Sequence, residues 1–270
     1  MALILFPKTS TQKPEIPQIN WGSRQADGLI FWQPIVPVPG GLGIGVSPLG
    51  YNHLTSRGSA VTLSASELGT VANLGNSVAN GYLQASGVTR IPNINSENYT
   101  VSCWVYFHSV ATTQGIFSSG NTGFGLALRA AVLRMENVAN GTLICSSGVT
   151  AVANRWYHLL FTHSSTVGPN WIYVDGIQRA TSATSSPAIA PTVAEMGRNT
   201  DGFDPHNGLG CDYRIYNQWM SPAEVSAMYA NPWALWGPQA PAKRMWVATT
   251  AAPATSVKDL ISMGFIPFAR

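Results

Sequence analysis

Twelve carboxylates, five histidines and three cysteines carry whatever acid–base, metal or nucleophilic chemistry this 270-residue chain can do. The acids are Glu15, Asp27, Glu67, Glu97, Glu136, Asp175, Glu195, Asp201, Asp204, Asp212, Glu224 and Asp259. Retaining glycoside hydrolysis needs two carboxyl groups about 5–5.5 Å apart, which one strand face supplies at i, i+2 or i+4. No two of these acids have that spacing, so a pair could form only across strands. The closest two, Asp201 and Asp204, fall in the segment 199–207, the richest oxygen-donor stretch of the chain. Calcium takes six to eight oxygens, and Asp201, Asp204 and Asn207 are the candidate ligands, with an ordinary polar turn as the alternative. His158 and His163 are five apart, so a regular strand turns them to opposite faces and they cannot share a metal. No G-x-S-x-G elbow is present. Cys103, Cys145 and Cys211 are odd in number, widely spaced and without a C-x-x-C, which predicts small core side chains rather than a disulfide framework or a zinc site. No catalytic residue and no cofactor beyond calcium is expected.

Aromatic side chains are the other groups that could meet a ligand. In 99–107 the odd positions are Tyr99, Val101, Cys103, Val105 and Phe107, and the even ones Thr100, Ser102, Trp104 and Tyr106. One face is core. Trp104 and Tyr106 face away from it, and Trp171 and Tyr173 share another face. These four are the candidate saccharide platform. The competing reading makes them a second hydrophobic layer under the N-terminal arm or a neighbouring subunit, because a monomer rarely leaves a large apolar patch wet. Trp21, Phe31, Trp32, Trp233, Trp236 and Trp246 lie towards the two ends of the chain and are the candidate assembly contacts. Asp212 and Arg214 alternate with Cys211, Tyr213 and Ile215, which predicts a same-face ion pair, or a reach to a neighbouring strand, with a structural role.

The elements that must position these groups read as β. Charged residues are 10% of the chain, against about 25% in an average soluble domain. The net charge is +3, with no basic block to track phosphates, so nucleic-acid binding is excluded as a main role. No run approaches the ~18 apolar residues of a membrane helix, and the start, Met1 to Lys8, lacks the pattern of a secretory signal. Residues 1–50 are Pro-rich and predict an arm with edge strands such as 28–33. Residues 51–231 carry short strand signals at 81–86, 99–107, 115–119, 124–129, 132–136, 142–145, 156–163, 171–174, 177–180 and 210–216. Asp175-Gly176 between two such runs predicts a hairpin with a type I′ turn. Ser221-Pro222-Ala223-Glu224 is a capping box that starts a helix, which Asn231-Pro232 stops. Residues 232–270 read as a tail with a second short helix at 257–263. The fold class is all-β: an antiparallel sandwich with an N-terminal arm and a helical C-terminal tail.

Four stretches resemble, in order, the strands of laminin-G-like and concanavalin A-like lectin domains. They are Asn98 to Tyr106, Arg155 to His163, Trp171 to Gly176, and Gly210 to Asn217 with Met220 to Val225 and Met228-Tyr229. The resemblance implies a jelly roll, a fold that serves lectins, glycan hydrolases and inert capsid parts alike. An enzyme of this fold would most resemble the laminarinases, whose strand-borne carboxylate pair is absent here. Asn20 to Ile30 and Asn231 to Trp236 resemble the beginning and end of such domains in tailed-phage structural proteins.

The resulting expectation is a non-enzymatic virion component, assembled in the host cytoplasm. It would be a capsid decoration protein whose arms grip the major capsid protein or tail subunits, in a homo-oligomer such as a trimer. Few charges and many aromatics suit such interfaces. The alternative is a glycan-binding receptor-recognition protein of a tail fibre or adhesin. Neither reading involves nucleic acid or membrane.

Overall fold

A computed structural model describes residues 19–35, 55–57, 61–75, 81–86, 97–120, 123–138, 141–166, 168–183, 193–198 and 204–236. Contacts divide the chain into Met1–Pro238 and Gln239–Arg270. The second unit lies outside the described residues, and with it the expected helix at 257–263 and Trp246. Asp201 and most of the Pro-rich arm also lie outside them.

The strands are β1 (Leu29–Gln33), β2 (Thr55–Arg57), β3 (Thr62–Ser66), β4 (Gly69–Asn73), β5 (Tyr82–Ser86), β6 (Tyr99–Phe107), β7 (Gln114–Ser118), β8 (Phe124–Arg129), β9 (Val132–Asn137), β10 (Leu143–Thr150), β11 (Arg155–Ser164), β12 (Gly168–Val174), β13 (Ile177–Ser182), β14 (Val193–Met196) and β15 (Gly208–Tyr216), and the helix is α1 (Pro222–Ala230). They form two antiparallel sheets. One has the order β13–β12–β11–β6–β15–β4–β3, with β1 also paired to β15; the other is β10–β9–β8–β7–β14–β5–β2. This is the expected sandwich.

The core lies between the sheets. Val101, Cys103, Val105, Phe107, Leu159 and Phe161 come from one side, and Leu83, Met196, Phe117, Leu126 and Met135 from the other. Tyr99, Phe124 and Phe161 stack at 5.1–6.4 Å between centroids. The Asp175-Gly176 turn has φ of 55° and 73°, the two positive values that a type I′ hairpin requires. Gly176 has a second reason to lack a side chain: a Cβ there would stand 2.7 Å from Cβ of Tyr229. Helix α1 has both bonds of its capping box, and Pro222 opens it.

The middle of the outer face of the eight-stranded sheet is as buried as the inner one: along β6 only Tyr106 is partly exposed, and β15 is buried throughout. Its cover is the protein's own chain. Helix α1 lies over it, burying Val225 and Met228. The segments on either side of the domain join there: Ile19 bridges Trp236, the Asn20 N–H donates to the Leu235 carbonyl (2.7 Å), and Gln25 Nε2 donates to the Asn231 carbonyl (2.7 Å).

Beneath that join is the expected Asp212–Arg214 pair, 2% and 1% exposed. Asp212 Oδ1 accepts from Trp32 Nε1 (2.8 Å) and from Arg214 Nε (3.1 Å). Arg214 also donates to Gln25 Oε1 and to the Pro232 carbonyl. Removing one member of a buried pair strands the other charge in a dry site. Asp212→Ala should therefore cost about 3–5 kcal/mol of unfolding free energy in urea denaturation. A loss below about 1 kcal/mol, the level of an exposed pair, would show that the two charges are not desolvated.

Candidate functional site

Strand register places the four candidate platform residues on a single face. Tyr106 and Trp104 pair with Trp156 and His158 of β11, while Tyr173 and Trp171 pair with Leu160 and Thr162 of the same strand. Positions 156, 158, 160 and 162 share one side of β11, so all four aromatics lie on the outer face of the eight-stranded sheet. They do not form one open platform. Trp104 is 2% exposed, its ring between His158 (5.0 Å) and Tyr229 of α1 (5.9 Å, nearly parallel). Tyr173 is buried too. These two belong to a buried outer layer, and over Trp104 the cover is helix α1, where the N-terminal arm or a neighbouring subunit was expected.

The two outer members stay half-exposed, at opposite ends of the covered face. At one end Tyr106 contacts Trp156 (5.5 Å) and His108 (5.3 Å), and its hydroxyl donates to Asn154 Oδ1 (3.3 Å). At the other, Trp171 meets Trp219, also half-exposed, at 5.7 Å with the ring planes 50° apart. The two indoles form an angled cradle, and Thr181 pairs with Trp171 across the strands. Trp219 escaped the sequence reading because it follows β15 in an irregular stretch with no periodicity to give it a face.

The candidate assembly residues divide as well. Phe31, Trp32, Trp233 and Trp236 are buried inside the domain, with Trp32 and Trp236 edge-to-face at 4.8 Å. Their apolar surface is used in folding, a correction to the expectation of aromatics held out for neighbours. Trp21 is 66% exposed on the turn that follows Asn20.

In the oxygen-rich loop, Asp204 and Asn207 are half-buried. The Asp204 carboxylate lies 3.5 Å from Arg129, and its carbonyl accepts from the Gly115 N–H. Among the described residues no group of three His, Cys, Asp or Glu could hold a metal ion.

The opposite sheet carries a feature that the spacing of acids along the chain did not reveal. Cross-strand partners Gln84, Glu195, Ser118, Gly125 and Glu136 make one row on its outer face. Glu136 is fully buried and accepts from Nε and Nη2 of both Arg129 and Arg134. Burial alone would raise its pKa, but the two guanidiniums outweigh it and hold the carboxyl below its ordinary value. Glu195, 2% exposed, accepts from Arg198 and Gln84, and the Arg198 guanidinium lies 3.4 Å from the centre of the Tyr82 ring. These two acids are three strands apart in the row, about 14 Å, which is beyond the ~9.5 Å limit of a glycosidase pair. Glu136 and Asp204 are nearer, but Arg129 lies between them and Glu136 has no access to solvent.

Ser102 Oγ and His158 Nε2 are 2.9 Å apart, yet they too are buried, and His158 Nδ1 has no acid beside it. Asp175 instead accepts from the backbone N–H of His158. This is packing, not a nucleophile and its base.

His158 and His206 are both sealed from water. Burial, with Arg214 adding to it, lowers His158 from 6.5 to about 3. Burial lowers His206 to about 4, although its Nε2 reaches the carbonyls of Tyr106 (3.1 Å) and Leu209 (3.3 Å). In the unfolded chain both imidazoles protonate near 6.5. Below that pH the unfolded state binds more protons than the folded one, so stability falls with acidification. The urea midpoint should fall between pH 6.5 and about 5, before most carboxylates titrate, and fall less in His206→Gln. A midpoint flat across that window would contradict the dry, neutral imidazoles.

Comparison with known proteins agrees with this architecture. Residues 76–226 match the family described as the concanavalin A-like lectin/glucanases superfamily. The chain belongs to that superfamily, and its laminin-G-like jelly roll is the fold that the four sequence stretches implied. No curated protein matches at significance.

Among solved structures the chain is similar to domain 4 of AbnA, a GH43 extracellular arabinanase from Geobacillus stearothermophilus, in complex with arabinotriose. The TM-score is 0.53 at 18% identity, covering 68% of this chain and 91% of that one. It is also similar to the botulinum neurotoxin type G receptor binding domain (TM-score 0.54, 15% identity, 75% of this chain and 51% of that one). A botulinum neurotoxin type C structure, described as interacting with two ganglioside molecules, gives 0.56 at 15% identity, with 75% and 50% covered. The chain thus spans about half the length of the toxin domains, and these likenesses show the fold alone.

Proposed function

We propose that this chain is a non-enzymatic glycan-recognition module, and that the Trp171–Trp219 cradle is its saccharide contact. The observation that carries the reading is the pair itself: two indoles at 5.7 Å from each other, both half-exposed, at one end of a sheet face whose middle is sealed. Aromatic faces suit the apolar C–H side of a sugar ring, and a rigid side chain loses little entropy on binding. Arabinotriose and gangliosides are saccharide ligands of proteins built on the same fold, which supports the choice of ligand class. A glycan array should yield a ligand of micromolar affinity that weakens roughly ten- to a hundredfold in Trp171→Ala and Trp219→Ala. An array with no ligand, or a ligand indifferent to both changes, would refute it.

A second reading is favoured by one observation, the exposed indole of Trp21 on a turn whose backbone is tied to Leu235. In it the chain is a virion structural protein, a capsid decoration protein or tail component, and Trp21 anchors a neighbouring copy or capsid subunit. The few charges and the likeness of 20–30 and 231–236 to tailed-phage proteins support it. Its test removes residues 2–18, which leaves the Ile19–Trp236 bridge in place, and separately makes Trp21→Ala. Both should abolish self-association in sedimentation and incorporation into particles; wild-type behaviour of both would reject the reading.

A further inference from the structure

We propose that a second copy of this chain seats its Trp21 in a cavity beside α1, and receives Trp21 of the first copy in return, so that the two form a symmetric dimer. The inference rests on the second reading above only in taking Trp21 as an anchor. The cavity and the identity of the partner go beyond that reading.

An exposed indole carries no meaning by itself, because large apolar side chains often stand singly on a surface. The second observation is a cavity of about 180 Å³ between α1 and the turn at residues 24–25. An apolar void of about 150 Å³ admits a benzene ring, so this one, open on one side, has the scale of an indole. Of the residues that line it, Met220 and Met228 are buried, whereas Ala223 and Ala227 are exposed on α1. Thioethers thus make the floor, and they adapt to aromatic rings and attract them. The two alanines are four apart, so they share one side of the helix, and longer side chains there would fill the recess.

The rim matches the rest of the side chain. Arg24 lines the cavity and is exposed, free to lie over an indole face. Gln218 gives its Nε2 to the Asp27 carbonyl, and Glu224 takes both Ser221 bonds on Oε2. An Oε1 remains on each to accept from the indole N–H.

Three residues of chain span at most about 11 Å, so Trp21 and the cavity wall at Arg24 occupy one region of the surface. A projection and a recess side by side are what an isologous contact needs: a two-fold axis between them brings each indole to the other copy's cavity. The projecting turn is held in advance. The Asn20 carbonyl accepts from the Ser23 N–H (2.9 Å), and its Oδ1 accepts from the Gly22 N–H (3.2 Å). A held turn and a side chain with two rotatable bonds lose little entropy on docking. Each indole buries about 150–250 Å², which puts the contact at the small end of specific interfaces and predicts micromolar affinity.

Sedimentation velocity of the full chain over a micromolar concentration series tests this. The wild type should pass from monomer to dimer. One lost indole contact should weaken the dimer about thirtyfold, so Trp21→Ala, which lacks both, should dimerise on the order of a thousandfold more weakly. Ala227→Phe fills the cavity from an exposed position and should weaken the dimer as much, with an unchanged thermal midpoint. The two variants mixed should form a heterodimer of intermediate affinity, because Trp21 of the Ala227→Phe chain still meets an empty cavity on the Trp21→Ala chain. That recovery would also show that both variants are folded. Self-association lost in Trp21→Ala but kept in Ala227→Phe, a mixture that recovers nothing, or a trimer would overturn the cavity as the seat and leave Trp21 standing as an anchor. A wild type that stays monomeric would overturn the proposal, and a Trp21→Ala chain that associates like wild type would remove the anchor as well.

Discussion

Burying an ion pair is costly unless every bond of both partners is met, and Asp212–Arg214 meets that condition only with help from three parts of the chain. Trp32 comes from β1, Gln25 from the turn before it, and the Pro232 carbonyl from beyond α1. Asp212 itself takes a left-handed φ of 54° at a bulge between Cys211 and Arg214. None of these contributors is a neighbour of the others in sequence. The pair thus makes the N-terminal strap, the last strand and the C-terminal helix mutually dependent, and it fixes where the outer cover of the eight-stranded sheet must sit.

The rest of the surface follows from that cover. With α1 laid over Trp104 and His158, the middle of the face is lost to ligands, and only its two ends keep open aromatics. The other sheet is organised differently. Its outer face is polar, and its carboxylates are neutralised in place by arginines instead of being shielded by a helix. One sandwich thus carries aromatics on one outer face and buried ion pairs on the other, from the same alternation of side chains along antiparallel strands.

Much of the fold was legible because its strands alternate strongly and its turns carry specific chemistry. β6, β11 and β15, the Asp175-Gly176 hairpin and the capping box of α1 were each set by local residues. β2, β3, β4 and β14 were not foreseen: Thr62–Ser66 and Gly69–Asn73 are made of small residues with little apolar contrast, and strands of three or four residues hold too few positions to show a period. Less of the candidate site was legible. The aromatics of β6 and β12 were found, but that they share a face depends on which strands neighbour one another. The burial of Glu136 and Glu195 escaped because their row, and their partners Arg129 and Gln84, are set by cross-strand register, which spacing along the chain does not encode. Phe31, Trp32, Trp233 and Trp236 looked external because they adjoin prolines, yet the strap they form turns inward.

The bridge between Ile19 and Trp236 closes the domain on itself, so the backbone enters and leaves at adjacent points. A body with that geometry is modular in the manner of a bead on a doubled thread. It can be spliced into a surface turn of an unrelated host protein without prising the host apart. Equally, its own entry and exit can be fused and the chain reopened elsewhere, since the fold does not require its beginning and end to be far apart.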